Sequence, residues 1–152
     1  MRTVKNILDS KQKPFNTIEQ KAMVIDALRM LNTVNLSYLV VMDGEEYKGI
    51  FSERDYSRNV VLKGKSSSSS TVEEVMTHDV PMVSESDSVE QCINMINQHK
   101  TRYLLAYSDG DQKLEGIITI HDLLREVLNS KGDAFSSSLT GQLIDNDESG
   151  IY

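Results

Sequence analysis

Gly49-Ile50-Phe51-Ser52-Glu53-Arg54-Asp55-Tyr56 returns further along the chain as Gly116-Ile117-Ile118-Thr119-Ile120-His121-Asp122-Leu123, and both copies read Gly-Ile-apolar-Ser/Thr-x-x-Asp. A short apolar run opened by glycine predicts a buried strand, and a hydroxyl residue followed by a carboxylate at capping-box spacing predicts a helix start. The repeated stretch therefore marks a strand-to-helix corner. The first N–H groups of such a helix lack intrahelical acceptors and carry the positive end of its dipole, so left unpaired they suit a phosphate. Ser52 or Thr119 would add a hydroxyl, and the carboxylate of Asp55 or Asp122 can accept hydrogen bonds from a vicinal diol. A second reading stays open, because the same residues approximate a capping box whose side chains only satisfy helix-end amides.

The whole chain narrows what such corners could serve. Its 152 residues, 39% hydrophobic and 26% charged, make one domain or two small halves sharing a core. No apolar run approaches the roughly 20 residues that cross a bilayer. Met1-Arg2-Thr3-Val4-Lys5-Asn6 also lacks the apolar block of a signal peptide, so a cytoplasmic location is expected. The formal net charge of -7 argues against nucleic acid and anionic membranes as partners, although a local basic cluster could still hold a small anion. Cys92, the single cysteine, falls in an apolar helical pattern and reads as a buried small hydrophobe.

Working outward, the rest of the chain also repeats. Thr3-Val4-Lys5-Asn6-Ile7-Leu8 parallels Thr71-Val72-Glu73-Glu74-Val75-Met76 as a short helical lead-in, and Phe15-Asn16-Thr17-Ile18 parallels Val80-Pro81-Met82-Val83 as an extended segment. Val24, Ala27, Leu28 and Leu31, then Val89, Cys92, Ile93 and Ile96, form one apolar helix face each. Ser88 and Gln91 stand in capping-box positions for the second of these helices, whereas the first has Met23 where a cap is expected. Strands are predicted over Tyr38–Met42 and Tyr103–Tyr107, each followed by an Asp-Gly turn and a return through the motif. A last helix in each half carries Tyr56, Val60 and Val61, or Leu123, Leu124, Val127 and Leu128. The serines at 66–70 have the composition of a flexible linker between a first repeat at 1–65 and a second at 71–130. Residues 131–152 lose periodicity and read as a tail, with a short element expected near Leu139 to Ile144.

These residues resemble the CBS-domain pair, or Bateman module. The resemblance rests on the doubled Gly-Ile-x-Ser/Thr-x-x-Asp, the phrase from Gly49 to Ser67, Val75-Met76-Thr77, and His99-Lys100-Thr101-Arg102-Tyr103-Leu104, and it covers about residues 3 to 130. It implies an α+β fold of two βαββα-type repeats packed around a pseudo-twofold axis. It also implies a small-molecule ligand of the adenosine type (AMP, ADP, ATP, S-adenosylmethionine or NAD) in clefts between the repeats. Carried across residue by residue, Asp122 and Thr119 would share one cleft with Thr77, Val80 and Pro81 against the base. Arg102 and His121 would meet phosphate beside Tyr103, while Asp55, Ser52 and Arg54 would form the other cleft.

The chain departs from the family pattern where Leu105 replaces the usual proline, and where Leu36 aligns with Arg102 so that the first repeat lacks that cation. Tyr38 is large enough to fill an adenine slot or to stack on the base. One nucleotide per chain, at Asp122, is therefore the expectation. The module would form a homodimer, need no cofactor, and pass its occupancy to a regulated protein that the sequence does not identify. The alternative is a ligand-free assembly module. Catalysis is not expected: the chain has no nucleophile elbow, Walker loop or His-Glu-x-x-His, and His78-Asp79 and His121-Asp122 are adjacent pairs whose side chains diverge.

Overall fold

Each motif copy closes an antiparallel hairpin whose first strand also pairs, in parallel, with a short strand before the preceding helix. The computed structural model describes residues 2–11, 15–34 and 36–129, so the expected tail and its element near Leu139 to Ile144 lie outside the described residues. The elements run α1 (Val4–Ser10), β1 (Thr17–Glu19), α2 (Val24–Val34), β2 (Tyr38–Asp43), β3 (Glu46–Ser52) and α3 (Glu53–Tyr56), the last continuing as a π-helical turn over Ser57–Val61. Then come α4 (Val72–Val75), β4 (Met82–Ser84), α5 (Val89–His99), β5 (Tyr103–Tyr107), β6 (Leu114–Thr119) and α6 (Ile120–Asn129). This is a mixed α+β fold with two three-stranded sheets, β1-β2-β3 and β4-β5-β6.

The two sheets match in register. Val41 faces Gly49 but Met42 faces Tyr47, and likewise Ala106 faces Gly116 but Tyr107 faces Leu114. Each hairpin thus bulges one residue before the motif glycine, which re-aims the strand that leads to the corner. Between β2 and β3, Gly44 takes a φ of +62°, a left-handed conformation that favours glycine.

The described chain falls into two compact units, one made of residues 2–11 with 81–129, the other of Phe15–Val80. In the first, Val4 and Ile7 of α1 are buried among Val83, Val89, Cys92, Ile93, Ile96, Leu104, Ile118, Leu123 and Val127. The amides of Val4 and Lys5 donate to Asp87 and Glu85 at 2.8 and 2.9 Å, and Arg2 Nε pairs with Glu126 at 2.6 Å. In the second unit, Val72, Val75 and Met76 join Val24, Ala27, Leu31, Leu39, Val41, Phe51 and Val60. Each lead-in helix therefore packs with strands of the other repeat. At about 1.5–3 kcal/mol for each fully buried aliphatic side chain, a short helix with two such residues is held by packing rather than by its own propensity.

Local details differ from the sequence expectation in three places. The serine run is not a free spacer: Ser70 is buried, and the carbonyls of Ser70 and Ser67 accept from Val24 N and Ile25 N, both at 2.9 Å. These carbonyls cap α2, which explains why Met23 can stand where a capping side chain was expected. The helix after the first motif widens into the π turn, which buries Val60, leaves Val61 at 53% exposure, and lets Asn59 Nδ2 donate to Val75 O at 2.9 Å. Leu128, expected on the apolar face of α6, is also largely exposed.

Candidate functional site

Both motif corners are complete capping boxes. At the first, Asp55 N donates to Ser52 Oγ at 3.3 Å, while Ser52 N and Ser52 Oγ donate to Asp55 Oδ2 at 2.8 and 3.0 Å. At the second, Asp122 N donates to Thr119 Oγ1 at 3.2 Å and Thr119 N donates to Asp122 Oδ2 at 2.9 Å. The first helical amides are not the open row expected from sequence. Glu53 N donates to Ser37 O at 3.3 Å and Ile120 N donates to Arg102 O at 3.2 Å, so the residue just before β2 or β5 takes one amide and the motif hydroxyl takes another.

Each carboxylate is nearly sealed, at 6% exposure, yet the two are completed differently. Thr77 Oγ1 donates to Asp55 Oδ1 at 2.7 Å, so both oxygens of Asp55 already receive hydroxyl or amide protons. Burial pushes the Asp55 carboxyl above its ordinary range. The Thr77 hydroxyl, the Ser52 amide and hydroxyl, and the neighbouring Arg54 charge oppose that rise. Asp122 instead receives an ammonium: Lys11 Nζ donates to its Oδ2 at 2.8 Å and to Ile117 O at 2.6 Å. Among the described residues Asp122 Oδ1 is approached only by Arg125 Nη1, at 3.8 Å and outside hydrogen-bond range.

The residues singled out from sequence are distributed as follows. Ser52, Asp55 and Thr77 meet in the Phe15–Val80 unit, with Arg54 next to them in sequence and Tyr38 directly opposite Ser52 in the β2–β3 register. Thr77, expected against the base in the cleft of Asp122, has its hydroxyl bonded to Asp55. The reason is that residues 76 and 77 run against β3, where Ile50 N and Thr77 N exchange hydrogen bonds with Thr77 O and Ile50 O, both at 2.9 Å. Val80 is buried in that same unit.

The other unit holds Thr119, Asp122 and exposed His121, with Tyr103 opposite Thr119 and Arg102 bonded through its carbonyl to Ile120 N. Pro81 is there too, its carbonyl accepting from Leu105 N at 2.9 Å. Lys11 is the residue the sequence did not reveal, because no spacing links a lead-in lysine to a carboxylate so far along the chain. Cys92 is fully buried and its thiol is pushed up to about 12 by burial, which fits a core residue. Among the described residues no cluster of His, Cys, Asp and Glu could hold a metal ion, and no helix is long and apolar enough to cross a membrane.

Paired β-α-β-β-α repeats, each presenting a buried carboxylate at a helix start, define the class. A family model for the CBS domain matches residues 4–61 and again 72–129, and the chain belongs to the CBS domain family. It is 28% identical to the CBS domain-containing protein CBSX3, mitochondrial, of Arabidopsis thaliana over 111 residues, or 70% of this chain and 53% of that protein. The chain thus spans about half the length of that relative. Among solved structures, a protein with CBS domains from Burkholderia ambifaria is 34% identical, with a TM-score of 0.78 over 89% of this chain and 100% of that one. CBSX2 in complex with AMP is 25% identical, with a TM-score of 0.67 over 84% of this chain and 97% of that one.

Proposed function

We propose that this chain is a regulatory module that binds an adenosine-type nucleotide at the Asp122 corner and passes its occupancy to a partner protein, without catalysis of its own. The observation that carries this reading is the open oxygen of Asp122: Oδ2 holds the cap and the ammonium, while Oδ1 has no donor within hydrogen-bond range among the described residues. A buried carboxylate with one oxygen unengaged is an acceptor for a ligand hydroxyl. The AMP held by CBSX2 supports the ligand class. Arg102 and His121 flank the corner and would serve the phosphate. By contrast, both oxygens of Asp55 are engaged internally, which favours one nucleotide per chain.

The test is a thermal-shift panel of AMP, ADP, ATP, NAD and S-adenosylmethionine, followed by calorimetry. A ligand at 100 times its dissociation constant adds about 2.7 kcal/mol of stability, a shift of several degrees in a domain of this size. Asp122→Ala is expected to weaken binding by about 1–3 kcal/mol, the range for hydrogen bonds to a charged group. A second reading, a homodimeric assembly module with no ligand, is favoured by the completeness of both capping boxes. Silence across the panel on nucleotide-free protein would decide for it.

A further inference from the structure

Lys11 reaches the Asp122 corner from a fixed base. Its lead-in helix is tied to the rest of its unit by the Val4–Asp87 and Lys5–Glu85 backbone bonds, by Val89 N donating to Arg2 O, and by the Arg2–Glu126 ion pair. The Lys11 amide closes that helix on Leu8 O at 3.1 Å, so the side chain starts from a defined point. Its side chain is one-fifth exposed, and its ammonium makes two bonds of very different kind, one to Oδ2 of the Asp122 carboxylate and one to the backbone carbonyl of Ile117 on β6. An ammonium with two of its three donors engaged cannot turn freely, and the carboxylate bonded to it cannot turn either. Thr119 N holds the same Oδ2, so two groups from distant places in the chain fix one oxygen, while the other has no donor within hydrogen-bond range among the described residues. In the companion corner the added donor is the neutral Thr77 hydroxyl, and it binds Oδ1 of Asp55.

We infer that Lys11 is a positioning residue of the Asp122 site: by holding Oδ2 it orients Oδ1 to accept from the vicinal diol of a ribose. This rests on the nucleotide reading above. A residue that positions the diol acceptor controls the discrimination between a ligand with ribose hydroxyls and one without them, whereas a phosphate contact or a merely structural lysine does not.

The experiment is calorimetry of AMP and of 2′,3′-dideoxy-AMP with the wild-type chain, Lys11→Met, Lys11→Gln and Lys11→Arg. The wild type is expected to prefer AMP by about tenfold or more, as hydrogen bonds to a carboxylate require. Lys11→Met should lose most of that preference while binding the dideoxy analogue within about threefold of wild type, and Lys11→Arg should restore part of it. Lys11→Gln keeps a donor for Ile117 O without the charge, so it reports the same ratio should the methionine variant fail to fold by circular dichroism. A preference retained in the folded variants overturns the inference, as does an equal loss for both ligands. A wild type that binds neither ligand overturns the nucleotide reading and this inference with it, and a wild type that binds both alike removes Asp122 as the diol acceptor.

Discussion

Asp55 is an acid whose surroundings work against its own charge. Burial is the largest influence on it and raises its folded-state affinity for a proton above the ordinary value near 3.8; the bonds from Thr77 and Ser52 only partly offset this. A carboxyl raised on folding contributes most below its unfolded value, and that contribution is lost as pH rises through the folded value. Urea melts between about pH 3 and pH 7 should therefore show wild-type stability falling, relative to Asp55→Asn, from about pH 4 upward. A difference that is flat or rises with pH would remove this account of Asp55. The caps themselves were legible in the sequence, because Ser52 with Asp55 and Thr119 with Asp122 are local pairs. Their outside partners were not. Lys11 lies 111 residues from Asp122, and only closure of the tertiary structure brings its ammonium there.

The approach of the second lead-in to β3 explains why the first motif opens with glycine. A Cβ at Gly49 would stand 2.5 Å from Thr77 O and 3.1 Å from Met76 Sδ, and that carbonyl is one half of the paired bonds between Ile50 and Thr77. Gly49→Ala must push this backbone away, and is expected to cost about 1–3 kcal/mol in urea unfolding, as overpacking of a tight contact does. A loss below about 0.5 kcal/mol would show that the Met76–Thr77 segment can slide without penalty. At this scale the sequence pattern found the helices and strands well, since the faces of α2 and α5 and the unbroken apolar runs of β2 and β5 are local properties. It missed the role of the serine run, because what Ser67 and Ser70 contribute to α2 is a backbone carbonyl, which no side-chain pattern encodes. It also missed the π turn, where docking of Asn59 on Val75 O outweighs the regular helix period that would have buried Val61.

For the molecule as a whole, the crossed lead-ins mean that each half of the sequence supplies part of the other half's core. Ile7 is 2% exposed and packs among residues of the second repeat, so Ile7→Ala should cost about 2–5 kcal/mol in urea unfolding of the full chain. A loss under about 1 kcal/mol would mean that α1 adds little to that core. This arrangement also imposes an order on the nascent chain. Phe15–Val80 has all of its core partners once Val80 has been synthesised, but Val4 and Ile7, made before that unit, must wait for strands made after it. During translation α1 is thus an unclaimed apolar segment beside a unit whose core partners are already made, and it can be buried only after β4, β5 and β6 have emerged.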